Sequence, residues 1–158
     1  MKAITLWPEW AACVLYAGKR VENRTWRPPE KLIGQRLALH AGAYIGGRPG
    51  GYYDAHAAVM GTAARVQRFL RLRRSRVLEE VAPDGRLLGE HVVATRAVVA
   101  TFELGKPWRA TGKGWESDDP DTWCWPLLDV RVLPDPVPAV GSQGLWTLPD
   151  DVATRVGR

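Results

Sequence analysis

The segment His91–Leu104 constrains the fold of this chain more than any other. It reads His-Val-Val-Ala-Thr-Arg-Ala-Val-Val-Ala-Thr-Phe-Glu-Leu and is dense in β-branched residues, which favour an extended backbone. A run of this kind predicts a β-strand and therefore a chain built around a sheet. No run approaches the roughly 18 apolar residues that a membrane helix needs.

Shorter segments predict further strands and a few helices. Strands are expected at Ala3–Leu6, Val21–Trp26, Arg36–Ala41, Cys124–Leu133 and Gly144–Leu148, and helices at Glu9–Ala17 and within Asp54–Leu78. About six short strands with two or three flanking helices predict an α+β fold on a curled sheet or small β-barrel. A chain of 158 residues has the length of one domain, so residues 1–158 are predicted to form a single domain.

The positive charge of the chain is concentrated in one segment. Lysine and arginine total 22 against 17 acidic residues, a formal net charge of +5. Six of the arginines, including Arg65, Arg68 and Arg71, lie between residues 65 and 76, and without them the balance is −1. Apolar residues recur at helical spacing through Asp54–Leu78, which predicts an amphipathic helix. Its arginine face is either solvated surface or a stripe that binds phosphates, since guanidinium groups grip phosphate in a fork.

The first residues and the cysteines bear on location and cofactors. The N-terminal segment has no apolar stretch of signal-peptide length, so a cytoplasmic protein is expected, with no membrane partner. Cys13 and Cys124 are the two cysteines, which excludes a disulfide scaffold and a multi-thiolate metal site. Turn-forming aspartates explain the acidic loop Glu116–Asp121 as well as a metal site would. We therefore expect no metal and no cofactor.

A polar cluster is predicted at Gly18–Trp26, which reads Gly-Lys-Arg-Val-Glu-Asn-Arg-Thr-Trp. Alternate side chains of a strand share a face, so Glu22, Arg24 and Trp26 point the same way. Lys19 precedes the strand and is within reach of that face. Such a group is either a compact polar site with a stacking wall or a surface ion-pair ladder beside a core tryptophan. The spacing alone favours the ladder.

Several segments occur in an informative order: Thr5–Ala11, Gly18–Trp26, Leu37–Ala41, Ala94–Leu104 and Leu128–Trp146. Together they resemble an ASCH domain, a branch of the PUA-like superfamily. The motif of that family is a glycine, a lysine, a glutamate three residues on and an arginine two further, and Lys19, Glu22 and Arg24 fit it. Gly18 directly precedes Lys19 here instead of standing two residues before it, so the turn into the site is expected to differ.

The resemblance implies a PUA-like β-barrel whose cleft faces RNA or a modified nucleobase. In such a cleft Lys19 and Arg24 donate to carbonyl groups or phosphate, Glu22 accepts from a base, and Trp26 offers a stacking face. The expected function is a binding module for RNA, another single-stranded nucleic acid or a modified nucleoside. Arg65, Arg68 and Arg71 would add phosphate contacts beside the cleft.

Two other classes of function are open. The first is an RNA-cleaving or nucleoside-processing hydrolase in the same cleft, with Lys19 and Glu22 as acid and base and His40 as another titratable group. One small branch of the ASCH family resembles amidohydrolases that act on acylated cytidine. In this chain Glu22 stands where the nucleophilic threonine of that branch is expected, and Thr25 lies on the opposite strand face. The second class is a protein-interaction module whose Arg-rich helix docks an acidic partner. The pattern favours a binding module over an enzyme.

Overall fold

The structure, a computed structural model, describes residues 1–43, 69–74, 77–81, 87–92 and 94–157. Its strands are β1 (Lys2–Leu6), β2 (Val21–Arg24), β3 (Arg36–Ala41), β4 (Phe69–Arg74), β5 (Val77–Val81), β6 (Leu87–Val92), β7 (Ala97–Leu104), β8 (Trp108–Arg109), β9 (Trp123–Pro138) and β10 (Leu145–Thr147). The described helices are α1 (Pro8–Tyr16), α2 (Asp150–Val156) and a 3₁₀ turn at Glu30–Leu32. None of them has the length and hydropathy needed to cross a bilayer.

Seven strands form one curled sheet in the order β10-β1-β3-β7-β9-β2, with β8 paired to β9. Strands β1 and β3 run parallel, and the other neighbours are antiparallel. Strands β4, β5 and β6 form a separate antiparallel sheet. The predicted α+β class with a curled sheet is confirmed.

The centre of the large sheet is apolar on both of its faces. Leu37 and Leu39 of β3 belong to a core that includes the apolar side of α1. Ala38, between them, belongs to a second core with Val152 and Val156 of α2. Because each face has its own helix, β3 is buried along almost its whole length, as a strand covered on both sides must be.

A proline marks the start of both α1 and α2. Pro8 ends β1 and occupies the first turn of α1, where a missing N–H costs nothing. Pro149 precedes α2 in the same way, and Asp150 and Asp151 place negative charge at its first turn. The sequence reasoning missed α2, although this proline followed by two aspartates was the signal available for it.

The predicted Arg-rich helix is wrong where the structure describes it. Residues 69–74 are strand β4, and Val77–Val81 is the strand that pairs with it. The reason lies in the sequence Phe-Leu-Arg-Leu-Arg-Arg, in which leucine and arginine alternate with the period of a strand. Arg71 therefore lies on a strand, opposite Glu79 in the register. The remaining part of the predicted helix, with Arg65 and Arg68, lies outside the described residues.

The predicted long strand His91–Leu104 is two strands. Strand β6 ends at Val92 in the small sheet, and β7 begins at Ala97 in the large one. Between them Arg96 has a φ of +52°, a left-handed conformation that interrupts extended backbone. The β-branched residues predicted the strand type correctly but not this break.

Candidate functional site

A tight turn after α1 buries the lysine of the polar cluster. Gly18 follows the helix with a φ of +68°, which favours glycine. The N–H of Lys19 then donates to the Cys13 carbonyl at 3.0 Å, which folds the chain back beneath the helix. As a result only 1% of Lys19 is exposed.

Lys19, Glu22 and Arg24 form a compact ion-paired group. The Lys19 ammonium donates to Glu22 Oε2 at 3.0 Å and also to the Val21 carbonyl. Arg24 Nε lies 3.0 Å from Glu22 Oε1, as an ion pair without the alignment of a hydrogen bond. Each carboxylate oxygen of Glu22 therefore faces a cation, which compensates the burial of the charge.

The Arg24 guanidinium links β2 to the opening strand. Its Nη2 donates to the Thr5 carbonyl at 3.0 Å. The strand that carries it is fixed in antiparallel register with β9, where Arg24 lies opposite Trp123. These contacts hold the guanidinium in place while a fifth of its side chain, 21%, remains exposed.

Trp26 stands just beyond β2 and is held by a second tryptophan. The rings of Trp26 and Trp125 meet edge to face, with centroids 4.6 Å apart and an interplanar angle of 88°. Trp125 Nε1 also donates to the Trp26 carbonyl at 3.1 Å. Trp125 is buried, whereas Trp26 is 37% exposed. The contact leaves an indole surface of Trp26 open to solvent.

These side chains border a cavity of about 890 Å³, which we call the β2 cavity. Its described lining consists of Thr5, Leu6, Trp7, Trp10, Glu22, Asn23, Arg24, Trp26, His40, Gly42, Ala43, Arg96, Val140, Gly141, Ser142, Gln143 and Gly144. Three of the four residues predicted from the motif, Glu22, Arg24 and Trp26, line it. Lys19 lies behind Glu22 and does not.

His40 is a buried member of the lining with a full set of hydrogen bonds. Its Nε2 is 3.1 Å from the Ala139 carbonyl, which can only accept, so Nε2 carries the proton. Nδ1 therefore accepts from the Thr5 hydroxyl at 3.2 Å, and that hydroxyl accepts in turn from Trp146 Nε1 at 3.1 Å. Burial lowers the pKa of His40, and the Ala139 hydrogen bond opposes this only in part. The imidazole is consequently neutral at pH 7.

Arg96 and the segment Ala139–Gly144, called the rim segment below, were missed by the sequence reasoning. The backbone of Arg96 donates to the Gly42 carbonyl at 3.1 Å and accepts from the Ala139 N–H at 3.0 Å. It thereby joins two stretches of the lining. The left-handed conformation of Arg96 is the feature that points to a functional site, because backbone strain of this kind concentrates at such sites. The sequence alone does not reveal this conformation.

The described part of the cavity is electropositive. Arg24 and Arg96 are its cationic lining residues, and Glu22 is its acidic one. Lys19 already compensates Glu22 from behind, so the two guanidinium groups leave an excess of positive charge. Such a cavity attracts anions.

In the acidic loop Glu116–Asp121, which precedes β9, the Glu116 carboxylate is hydrogen-bonded to nearby residues of the protein. Glu116 accepts from the Thr111 N–H at 2.6 Å, from the Thr111 hydroxyl at 2.7 Å and from Trp108 Nε1 at 3.1 Å. Desolvation raises its pKa, but these hydrogen bonds outweigh it, and the net effect is a lowered pKa. Across the described ranges, no group of three or more His, Cys, Asp or Glu residues is arranged to hold a metal ion.

Comparison with known proteins shows the fold. The chain is similar to the crystal structure of ASCH from Zymomonas mobilis, with a TM-score of 0.51 and 13% identity over 99% of this chain and 92% of that one. A mutant of the same Zymomonas mobilis protein, carrying phenylalanine in place of a tyrosine, gives a TM-score of 0.51 and 15% identity over 99% and 95%. No family model and no curated protein matches the chain. The predicted ASCH-type fold is confirmed.

Proposed function

We propose that this protein binds single-stranded RNA, or a nucleoside with an exposed base, in the β2 cavity. The observation that carries the proposal is the combination of exposed indole and unbalanced guanidinium charge in one cavity. An unpaired nucleotide presents the matching chemistry, because its base stacks on aromatic rings and its phosphate pairs with arginine.

The aromatic part of the lining supports stacking. Trp7, Trp10 and Trp26 all border the cavity and are partly exposed. The edge-to-face contact with Trp125 fixes the plane of Trp26 before any ligand arrives, so little side-chain freedom is lost on binding. Stacking of one base on an aromatic side chain contributes about 1–3 kcal/mol.

The charged part of the lining supports phosphate contacts. Arg24 has one nitrogen committed to the Thr5 carbonyl and another beside Glu22, which orients the guanidinium and leaves Nη1 for a ligand. Arg96, whose backbone is hydrogen-bonded to the rim segment, is an exposed residue. Guanidinium groups bind phosphate oxygens in a bidentate manner.

A hydrolase in the same cavity has less support than a binding module. Lys19 and Glu22 were its predicted acid and base, but their ion pair is buried and Lys19 is not among the lining residues of the cavity. The only described histidine of the lining, His40, uses both ring nitrogens within the protein. Glu22 and His40 line the cavity, but both are already engaged with partners inside the protein, which favours a binding role.

The proposal is tested by titrating the intrinsic tryptophan fluorescence with short single-stranded RNAs and with nucleosides at two salt concentrations. We expect saturable quenching by RNA that weakens steeply with salt, because phosphate contacts release counterions. Each mixture is then analysed for altered ligand. If no ligand quenches the fluorescence, the proposal is overturned. If a product accumulates with time, the protein is a catalyst and not only a binding module.

A further inference from the structure

Both carboxylate oxygens of the motif glutamate lie against cations of the protein itself. Glu22 Oε2 accepts from Lys19, and Oε1 lies against the Arg24 guanidinium. The neighbouring amide of Asn23 is committed as well, since Nδ2 donates to the Trp115 carbonyl at 2.9 Å and Oδ1 accepts from the Ser117 N–H at 3.1 Å. The side chains of Glu22 and Asn23 are therefore engaged in contacts that hold the protein together.

Thr5 and His40, which also line the cavity, are committed in the same way. The Thr5 hydroxyl donates to His40 and accepts from Trp146, and His40 completes its pairing at the Ala139 carbonyl. Arg24 and Arg96 remain, but a guanidinium is a donor only and cannot distinguish the mixed edges of bases by itself. Among the described lining residues, the polar side chains that both donate and accept and are still uncommitted are Ser142 and Gln143.

These two residues stand on a segment that is fixed at both sides. Ala139 is held through its N–H by Arg96 and through its carbonyl by His40. Gly141 packs so closely against the His40 ring that a Cβ there would collide with it and force one of the two to move. Gly144 then takes a φ of +67° and leads into β10. The rim segment is therefore a supported loop, and Ser142 and Gln143, both exposed, occupy defined positions on it.

We propose that Gln143, assisted by Ser142, reads the hydrogen-bonding edge of an unpaired base held in the β2 cavity. This inference rests on the proposed function and names its specificity determinant. The carboxamide of Gln143 offers a donor beside an acceptor, which is the arrangement that pairs with two adjacent groups on a base edge. One bidentate pair of this kind discriminates between bases by about 5- to 150-fold.

The test measures dissociation constants of short adenosine, cytidine and uridine oligoribonucleotides at one salt concentration. The proteins are the wild type, Gln143→Ala, Gln143→Glu and the control Gln35→Ala, an exposed glutamine that does not line the cavity. We expect the wild type and the control to prefer one base by at least about fivefold. In Gln143→Ala the three affinities converge, while the salt dependence persists.

The isosteric variant makes the outcome directional. A glutamate at 143 only accepts. The uridine N3–H stands between two carbonyl oxygens that repel a carboxylate, whereas each amino N–H of adenosine and cytidine has at most one neighbouring acceptor, so Gln143→Glu shifts the preference away from uridine. If the wild type binds RNA but its base preference is absent, or is unchanged in both variants, the role of Gln143 is overturned and the RNA-binding proposal stands. If the wild type binds none of the oligonucleotides, the proposed function itself fails.

Discussion

The Lys19 ammonium lies 3.0 Å from Glu22 Oε2, and only 1% of Lys19 is exposed. The pair therefore acts inside the protein and does not present both of its charges to a ligand. It sets the position of the carboxylate, which in turn lies beside the Arg24 guanidinium. In the motif that resembles the ASCH pattern, Lys19 thus positions Glu22, and Glu22 helps to position the partly exposed guanidinium of Arg24.

Replacement of Lys19 by methionine is expected to destabilise the fold. The substitution leaves the Glu22 carboxylate buried with one cation instead of two, and loss of one partner from a buried ion pair costs about 3–5 kcal/mol. Urea unfolding measures the change. The double variant Lys19→Met, Glu22→Gln should recover part of the loss, since it removes the buried carboxylate that has lost its lysine partner. Equal stability of the single variant and the wild type would contradict this account.

Much of the motif was predictable from the sequence because strand alternation is a local rule. Glu22 and Arg24 were expected on one face, and they meet as an ion pair. The burial of Lys19 was not predictable, since it depends on how the Gly18 turn brings the strand beneath α1. Arg96 is brought to the cavity by long-range backbone hydrogen bonds with residues 42 and 139, and Gln143 lies four residues after 139; no local pattern encodes these pairings.

The fold shows the same division between local and long-range causes. Strands β1, β3 and β9 were predicted from short local patterns, such as the partial alternation of residue types in β3. The error at residues 69–74 came from a helical spacing of apolar residues that extended from 59 to 70 and competed with strand alternation beyond it. The pairing of Arg71 with Glu79 in the register shows that the strand period prevailed.

Arg24 and Arg96 are expected to set the salt dependence of RNA binding. Substitution of either by alanine removes one phosphate contact, which should lower the slope of log affinity against log salt by about 0.7 for a single strand. The matched control is Arg155→Ala, an exposed arginine on α2 that does not line the cavity. The same change of slope in all three variants would show a general charge effect and not a phosphate site.

Trp26 is expected to contribute stacking energy. Trp26→Ala should weaken RNA binding by about 1–3 kcal/mol at every salt concentration, because stacking does not depend on counterions. Trp108 is an equally exposed indole, 37% in both cases, that lies outside the cavity lining. Calorimetric titration of Trp26→Ala and Trp108→Ala should separate the two, and comparable losses would rule out a specific stacking role for Trp26.

His40 is expected to make the fold less stable in mild acid. Burial lowers its pKa below the ordinary 6.5, so the unfolded chain takes up a proton near that pH while the folded chain does not. The contribution of His40 is therefore complete above pH 6.5 and declines as the pH falls toward the folded pKa. Melting temperatures from pH 8 to pH 5 should fall more steeply for the wild type than for His40→Gln, in which the side-chain N–H to Ala139 is retained. Parallel curves would mean that another group causes the acid sensitivity.

Gly141 is expected to couple the rim segment to ligand binding. A Cβ at this position would collide with Cε1 and Nδ1 of His40 and would lie 3.0 Å from Thr5 Oγ1. Since the ring is anchored at both nitrogens, the rim has to move, and overpacking of this kind costs about 1–3 kcal/mol.

The control for this change is Gly114→Ala. That position has a φ of +57° and open space around it, so alanine there strains the backbone by about 1–2 kcal/mol without touching the cavity. We therefore expect a comparable loss of stability in both variants, measured by urea unfolding, but weaker RNA binding only in Gly141→Ala. Intact binding in Gly141→Ala would show that the rim segment plays no part in holding the ligand. Weakened binding in both variants would attribute the effect to stability alone.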